Sequence, residues 1–434
     1  MKKTNKIFGG EKRGNDTRYN ACVGNNGWVG MYSYIDGFQS STVILLEALI
    51  KGIEKESDSD RFIWCVDHGI YPILFSARHF LELFFKQQIL RISYLKNKNQ
   101  NDYLLKLTLL KTHDTHKLWQ LFLKEVKLNR DRRLYIYLND FHKFILDFHE
   151  IDSTGETFRY PYNQNNKLHL TNHSVIGIKR FYKNFITFSK LASNFSYLTD
   201  ELLSEYKVGT YTENLSRKDI ENIAFSLPKK NSWNNKNLKK FQEDAKKKYG
   251  IGCREFRKVL NIIEENVEFN NIVSDEYKLS IDEQKLIKFC LNCLMEEKKD
   301  LDLSLSDLAC IRSIQEISVS VIDGKYFSED VHFLKEHYYK EYEFYNQSDF
   351  QDELNYTYRH INRTIKGLEK LRQINTLNKI HIVFKNLFVC LLKNHKDDPL
   401  DVDSRPRSLE KQLQDMCKGI IFGGVSKSML KKAG

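Results

Sequence analysis

Three short polar clusters in the first 165 residues contain the side chain types that acid–base chemistry requires. They are RHFLELFFK at 78–86, THDTHKLW at 112–119 and FRYP at 158–161. Each lies among aromatic residues, so its polar groups would meet inside or beside an apolar core. Imidazole, guanidinium and carboxylate groups held together in this way can move protons and stabilise an anionic phosphate without a metal ion.

Cleavage of RNA by its own 2′-hydroxyl is one reaction that such groups could catalyse, if the protein acts on RNA. A base removes the hydroxyl proton, an acid protonates the leaving 5′-oxygen, and a cation holds the charge of the phosphorane. The imidazoles available as acid and base are His79, His113 and His116. Arg78 and Arg159 are candidates to hold the phosphate, and Glu82 would orient an Arg or a His.

The same residues also have a structural interpretation. At about 100° per residue, Arg78, Glu82 and Lys86 fall on one stripe of a mostly apolar helix. On a solvated face, each i,i+4 ion pair would contribute about 0.2–0.5 kcal/mol. Because the helix is otherwise too apolar for the surface, we expect the stripe to be a polar seam that meets THDTH and FRYP. Arg159 could also tie its loop to the end of a helix.

Metal-dependent nuclease chemistry is the alternative that carboxylates would support. Such a site needs two or three convergent carboxylates. Glu82, Asp114 and Asp152 are candidates, but no recognised ligand spacing relates them. The pair Cys290 and Cys293 in CLNC lacks the two further ligands that zinc requires. The sequence therefore predicts neither a metal site nor a cofactor.

Helices are predicted to position all three clusters. The predicted helices cover about 38–55, 61–93, 112–126, 133–152 and 172–206. Ser40 or Ser41 is the expected cap of the first helix. Pro72 is expected to bend or restart the second helix. Thr112 or Asp114 is expected to cap the third.

The whole chain is predicted to be all-α, with an up-and-down helical bundle followed by a second helical domain. Only 5 prolines and 20 glycines interrupt 434 residues rich in helix-forming types. The predicted divisions are an irregular glycine-rich segment at 1–37, the bundle at 38–206, a basic linker or insertion at 207–275, a C-terminal helical domain at 276–410 and a loosely ordered tail at 411–434.

The chain is expected to be cytoplasmic and to have no membrane partner. No segment reaches 18 uninterrupted apolar residues. The basic N-terminus is not followed by the apolar region of a secretory signal. The 8 cysteines are scattered along the sequence. This is typical of free, buried thiols in a protein of a reducing compartment.

The net charge of +11 favours a partner that carries phosphates. Residues 229–258 contain eleven Lys or Arg against three acids, and KLNRDRR at 127–133 is a second basic segment. A solvated face is the alternative for both. The residues predicted to bind nucleic acid are Lys86, Lys246, Lys247, Lys248, Arg359 and Arg363.

The order of the motifs RHxxELxxK, THDTH with LW, and FRYP resembles the N-terminal region of bacterial helical proteins of the HEPN superfamily. The resemblance covers about residues 20–200. It implies an up-and-down helical bundle, usually a dimer, and a metal-independent ribonuclease of the kind found in anti-phage and toxin–antitoxin systems. It also implies an Arg and a His, spaced Arg-x4–6-His, that meet across a dimer interface.

This chain departs from that spacing, because Arg78 and His79 are adjacent and only Arg61 and His68 match it. Three hypotheses remain open. The first is a defence endoribonuclease that acts on RNA as a homodimer or with other defence proteins. The second is a non-catalytic sensor or scaffold that binds nucleic acid or a partner, and the third is a metal-dependent DNA nuclease.

Overall fold

The computed structural model describes residues 17–24, 30–54, 65–96, 108–109, 111–153, 155–163, 165–274, 278–294, 302–321 and 324–394. In this part of the chain it has sixteen α-helices, two short 3-10 helices and a single two-stranded ribbon. The predicted all-α class is therefore confirmed. No helix in the described ranges is long and apolar enough to cross a membrane.

The first six helices build the unit that contains all three polar clusters. They are α1 (Met31–Glu54), α2 (Val66–Ser93), α3 (Thr115–Asn129), α4 (Arg132–Tyr135), α5 (Leu138–Ile151) and α6 (Ile178–Val208). Helix α2 packs against α1, α3 and α6 and is the centre of this unit. Phe80, Phe84 and Phe85 of α2 are almost completely buried among aromatic rings from α3, α5 and α6. Each such side chain contributes about 1.5–3 kcal/mol through burial.

Four predicted helix boundaries in this unit are wrong, among them the start of the helix predicted at 172, which lies at Ile178. Helix α1 begins at Met31 rather than near 38, and the hydroxyl of Ser41 donates to the carbonyl of Phe38 inside the helix instead of capping it. Helix α2 begins at Val66 and continues through Pro72. The helix predicted at 133–152 is divided into α4 and α5, because the ring of Tyr137 turns into the core against Phe195.

Residues 207–275, predicted to be a basic linker or insertion, are a helical unit with its own core. The unit contains α7 (Arg217–Ser226), α8 (Asn235–Tyr249), α9 (Cys253–Glu265) and α10 (Val267–Val273). Phe256, Val259 and Ile263 form the buried stripe of α9 and pack with Ile220 and Phe269. The linker alternative is therefore wrong, and the insertion alternative stays a prediction; the i, i+3, i+7 apolar pattern of α9 lies within a segment whose many lysines had suggested a linker.

The last described unit contains the ribbon and six helices. They are α11 (Glu283–Leu294), α12 (Leu305–Ile317), β1 (Ser320–Val321), β2 (Gly324–Lys325), α13 (Asp330–Tyr342), α14 (Gln347–Arg359), α15 (Ile361–Lys370) and α16 (Ile374–Asn394). Gly367 of α15 packs so closely on α12 that a Cβ atom there would lie 2.0 Å from the carbonyl oxygen of Ile314. The predicted tail at 411–434 lies outside the described residues.

One carboxylate, that of Glu329, joins the C-terminal unit to the middle unit. It accepts hydrogen bonds from Thr210 after α6 at 2.6 Å, from Arg217 of α7 at 3.2 Å and from Asn266 at 2.6 Å, and it lies directly before α13. Burial alone would raise the pKa of Glu329, but the charge and hydrogen bonds of Arg217 outweigh it and the pKa is lowered. The middle and C-terminal units are thus joined by a half-buried, ionised group.

Candidate functional site

Arg78 has a buried side chain that joins two loops through hydrogen bonds. Its side chain is only 2 % exposed. Its Nε donates to the carbonyl of Asp152 at 3.1 Å, one terminal nitrogen donates to Glu82 at 3.2 Å, and the other donates to the carbonyls of His113 and Ser153. Burial lowers the pKa of Arg78, although Glu82 opposes that shift. With its donors used in this way, Arg78 positions the loops, and it has no accessible face with which to hold a phosphate.

Glu82 is the hub of the cluster. Its Oε1 accepts a hydrogen bond from the Lys86 ammonium at 2.7 Å and lies 3.0 Å from Nδ1 of His113, while Oε2 faces Arg78. Burial alone would raise the pKa of Glu82, but the hydrogen bond and charge of Lys86, followed by the charges of Arg78 and His113, lower it overall. The carboxylate is therefore ionised near neutral pH and acts only as an acceptor.

His113 is the imidazole that connects this buried cluster to the surface. Its side chain is 59 % exposed, whereas that of Glu82 is 5 % exposed. Since an ionised carboxylate only accepts hydrogen bonds, Nδ1 of His113 carries the proton and Nε2 is left as the basic nitrogen. A buried carboxylate that fixes the tautomer of a solvent-facing imidazole is a common arrangement for a general base.

Two further histidines lie at the same end of α3. Asp114 caps this helix by accepting from the backbone N–H groups of His116 at 2.8 Å and Lys117 at 3.1 Å, which confirms its predicted role as the cap. Nδ1 of His149, at the end of α5, lies 3.9 Å from Oδ1 of Asp114. The ring centroid of His149 is 5.4 Å from that of His116. Two imidazoles and one carboxylate thus lie at the first turn of α3, and His113 directly precedes that turn in the chain.

The remaining two predicted catalytic residues lie beside this group. His79 is half-buried between the rings of Phe38 and Phe75, and burial lowers its pKa. Arg159 is exposed, and its Nε donates to the carbonyl of Gly155 at 2.7 Å. A Cβ atom on Gly155 would lie 3.8 Å from Arg78 and 3.9 Å from Arg159, so both guanidinium groups approach the same point of the loop. Arg159 is the one of the two that solvent can reach.

The residues predicted to bind nucleic acid are divided by the fold. Lys86 has a side chain only 7 % exposed and is paired with Glu82, so its predicted contact with a nucleic acid is wrong. Lys246, Lys247 and Lys248 are exposed in the last turn of α8. Arg359 and Arg363 lie in the C-terminal unit. Arg359 is exposed, and Arg363 donates to the hydroxyl of Tyr356 at 3.1 Å.

The cysteine pair of CLNC is part of the C-terminal core. Cys290 is a buried free thiol, and burial raises its pKa to about 12. Cys293 is half-buried, and burial raises its pKa as well. In the described part of the chain, no group of three or more His, Cys, Asp or Glu side chains is arranged to hold a metal ion.

His149 is the site residue that the sequence reasoning missed. It lies seven residues after His142 on one face of α5, and His142 stacks on Trp119 of α3 at 5.3 Å. On an antiparallel partner, His116 lies three residues before Trp119, so the pairing of His149 with His116 follows from the same geometry. This spacing of histidines and tryptophan was the signal available in the sequence.

Comparison of the chain with protein-family models, with curated proteins and with solved structures finds no match. The resemblance to the HEPN superfamily therefore stays a prediction, and the geometry of the described residues is what a functional proposal must rest on.

Proposed function

We propose that this protein is a metal-independent endoribonuclease whose general base is His113. The observation that carries the proposal is the 3.0 Å contact between Nδ1 of the exposed His113 and the buried, ionised Glu82. The contact favours the tautomer that leaves Nε2 free, and the proposal takes the further groups it needs from His116, His149 and Arg159 on the neighbouring helix ends and loop. In the same scheme, Glu82 is a positioning residue.

The reaction balances with these groups alone. Nε2 of His113 takes the proton of a ribose 2′-hydroxyl, the 2′-oxygen bonds to the adjacent phosphorus, and the bond from phosphorus to the 5′-oxygen breaks. His116 or His149 gives a proton to that 5′-oxygen. Arg159 holds the charge of the phosphorane. The products are a 2′,3′-cyclic phosphate and a free 5′-hydroxyl.

Cleavage of end-labelled RNA by the purified protein tests the proposal. We expect single-stranded RNA or tRNA to be cut in EDTA as well as in magnesium. DNA and RNA methylated at the 2′-oxygen should not be cut, because they lack the attacking hydroxyl. The 5′ fragment should end in a 2′,3′-cyclic phosphate. Cutting that requires magnesium would transfer the proposal to the carboxylates and to the DNA-nuclease alternative.

A matched pair of variants separates catalysis from structure. His113→Asn keeps an N–H group that can donate to Glu82 but has no basic nitrogen. We expect His113→Asn and His113→Ala to lose RNA cleavage alike, with the His113→Asn protein as stable as the wild type. His381→Asn, on exposed α16, is the control and should cut normally. Full activity of His113→Asn would show that His113 has a structural role.

A non-catalytic nucleic-acid-binding protein is the second candidate. The hydrogen bonds of Arg78 favour it. The guanidinium donates to backbone carbonyls of two loops and to Glu82, which is the bonding pattern of a structural residue. On this hypothesis the protein binds RNA, cuts it under neither metal condition, and keeps its affinity in His113→Asn.

A further inference from the structure

The two basic segments of the sequence, 127–133 and 229–258, come together in the fold. Arg132 donates to the carbonyl oxygen of Lys248 at 2.8 Å. Its guanidinium lies 4.6 Å from the ring centroid of Tyr249, and the ammonium of Lys248 lies 5.0 Å from the same centroid. Two cations from different units therefore share one aromatic ring at the surface.

The acid in the first segment does not neutralise this surface. Asp131 is completely buried, caps α4, and pairs with Arg133, which also binds Glu205. The charges of Asp131 and Arg133 are thus paired with each other on the side of the segment that faces the core. Arg130 and Arg132 remain exposed on the outer side, and neither forms an ion pair within the described residues.

Helix α3 extends the positive surface to the histidine site. At about 100° per residue, its exposed residues fall within about 120° of one another. They are His116, Lys117, Gln120, Lys124, Lys127 and Leu128. The one acid of the helix, Glu125, is buried on the opposite side. The face therefore carries positive charge along its whole length.

We propose that this face and the adjoining cations bind the phosphate backbone of single-stranded RNA and lead it to His113. The basic track, as we name it, consists of Lys117, Lys124, Lys127, Arg130, Arg132, Lys246, Lys247 and Lys248. The proposal rests on the proposed ribonuclease function for the direction of the strand and for the choice of RNA. Within the described residues none of these cations forms an ion pair with an acid, although Glu243 and Asp244 are exposed one turn before Lys247 and Lys248 on α8.

Charge complementarity with a polyanion is the physical basis of the assignment. Each phosphate neutralised by a Lys or Arg releases counterions, so affinity falls with salt by a slope of about −0.7 per contact on a single strand. Tyr249 adds a ring on which a base could stack beside two cations. A solvated face with no ligand would show neither a steep salt dependence nor a loss of binding on charge reversal.

The experiment measures RNA binding in a background that cannot cut. His113→Asn protein is titrated into a fluorescent 20-nucleotide RNA at several salt concentrations, and anisotropy gives the dissociation constant. The two track variants are Lys124→Glu with Lys127→Glu, and Lys246→Glu with Lys247→Glu. We expect each to weaken binding by roughly tenfold or more and to reduce the salt slope by about 1.4, for two lost contacts.

Matched controls decide what the result means. Lys183→Glu with Lys190→Glu reverses the same amount of charge on exposed positions of α6 and should leave affinity nearly unchanged. Thermal melting confirms that every variant is folded. An equal loss of RNA affinity in the track and control variants, or no loss of affinity in either, would show that the track does not bind RNA.

The outcome is separable from that of the ribonuclease. If the wild type never cuts RNA but the track variants alone lose affinity, the track stands and the catalytic function fails. If His113→Asn abolishes cutting while the track variants bind normally, the reverse holds. Binding of polyglutamate as tightly as RNA would overturn the assignment of a nucleic-acid backbone as the ligand, because the track would then recognise negative charge alone.

Discussion

The Nε of Arg78 donates a 3.1 Å hydrogen bond to the carbonyl of Asp152, 74 residues further along the chain. We expect Arg78→Ala to lower the free energy of unfolding by about 3–5 kcal/mol, because Glu82 and loop carbonyls are left buried without their partner. Urea unfolding measures the loss. Arg78→Lys should recover only part of it, since an ammonium cannot reach all four oxygens. An unfolding free energy that does not change would show that Arg78 is not a structural clamp.

The pH dependence of stability should reflect Glu82. Its pKa in the folded protein is below the ordinary value of 4.5, so its contribution is complete above that pH and is lost as the pH falls through the lower, folded value. In Glu82→Gln this part of the loss is absent. We therefore expect the stability difference between wild type and Glu82→Gln to shrink in acid, measured by urea unfolding between about pH 3 and 7. A difference that stays constant with pH would show that Glu82 is not held ionised by its neighbours.

The close packing of α15 on α12 gives a sharp prediction at Gly367. A Cβ atom there would lie 2.0 Å from the backbone oxygen of Ile314, so Gly367→Ala must push the helices apart. We expect a loss of about 3 kcal/mol or more in the free energy of unfolding. Gly37→Ala is the control. Gly37 lies inside α1 with no atom near the added Cβ, and this change should stabilise by up to about 1 kcal/mol.

Glu329 should govern how cooperatively the protein unfolds. In Glu329→Ala, Thr210, Arg217 and Asn266 all lose a shared acceptor where the middle and C-terminal units meet. We expect a loss of about 2 kcal/mol or more. We also expect the calorimetric transition to broaden or split. A single transition of unchanged width and midpoint would show that the units are joined mainly by apolar contacts.

The meeting of the three polar clusters was predictable, and its internal roles were not. A polar stripe on an apolar helix must find polar partners, and Arg78 does reach the loops of His113 and Asp152. Whether a given group in that seam faces water depends on side chain placement. Sequence periodicity places Lys86 one helix turn after Glu82, and it does not place His113, which comes from a separate loop. It therefore does not show that Lys86 is buried and His113 is exposed.

Two helical elements escaped prediction for opposite reasons. Helix α12 lies within the predicted C-terminal helical domain but was not predicted as a helix of its own, because it is buried on most sides and its residues show no clear apolar face. The core of the middle unit was not predicted, because the basic composition of the segment is typical of a linker. The regular apolar pattern at Phe256, Val259 and Ile263 was the better indication. Composition predicts the charge of a surface but not whether a core lies beneath it.

The length of α3 sets a minimum size for a substrate. The helix has 15 residues, so the histidines at its start and the cations beyond its end are about 22 Å apart. A stacked strand advances about 3.4 Å per nucleotide, so roughly six nucleotides bridge that distance. If the proposed track and histidine site act together, we expect an oligonucleotide shorter than this to occupy one end or the other, and a longer one to be cut about six nucleotides from the cations that bind it.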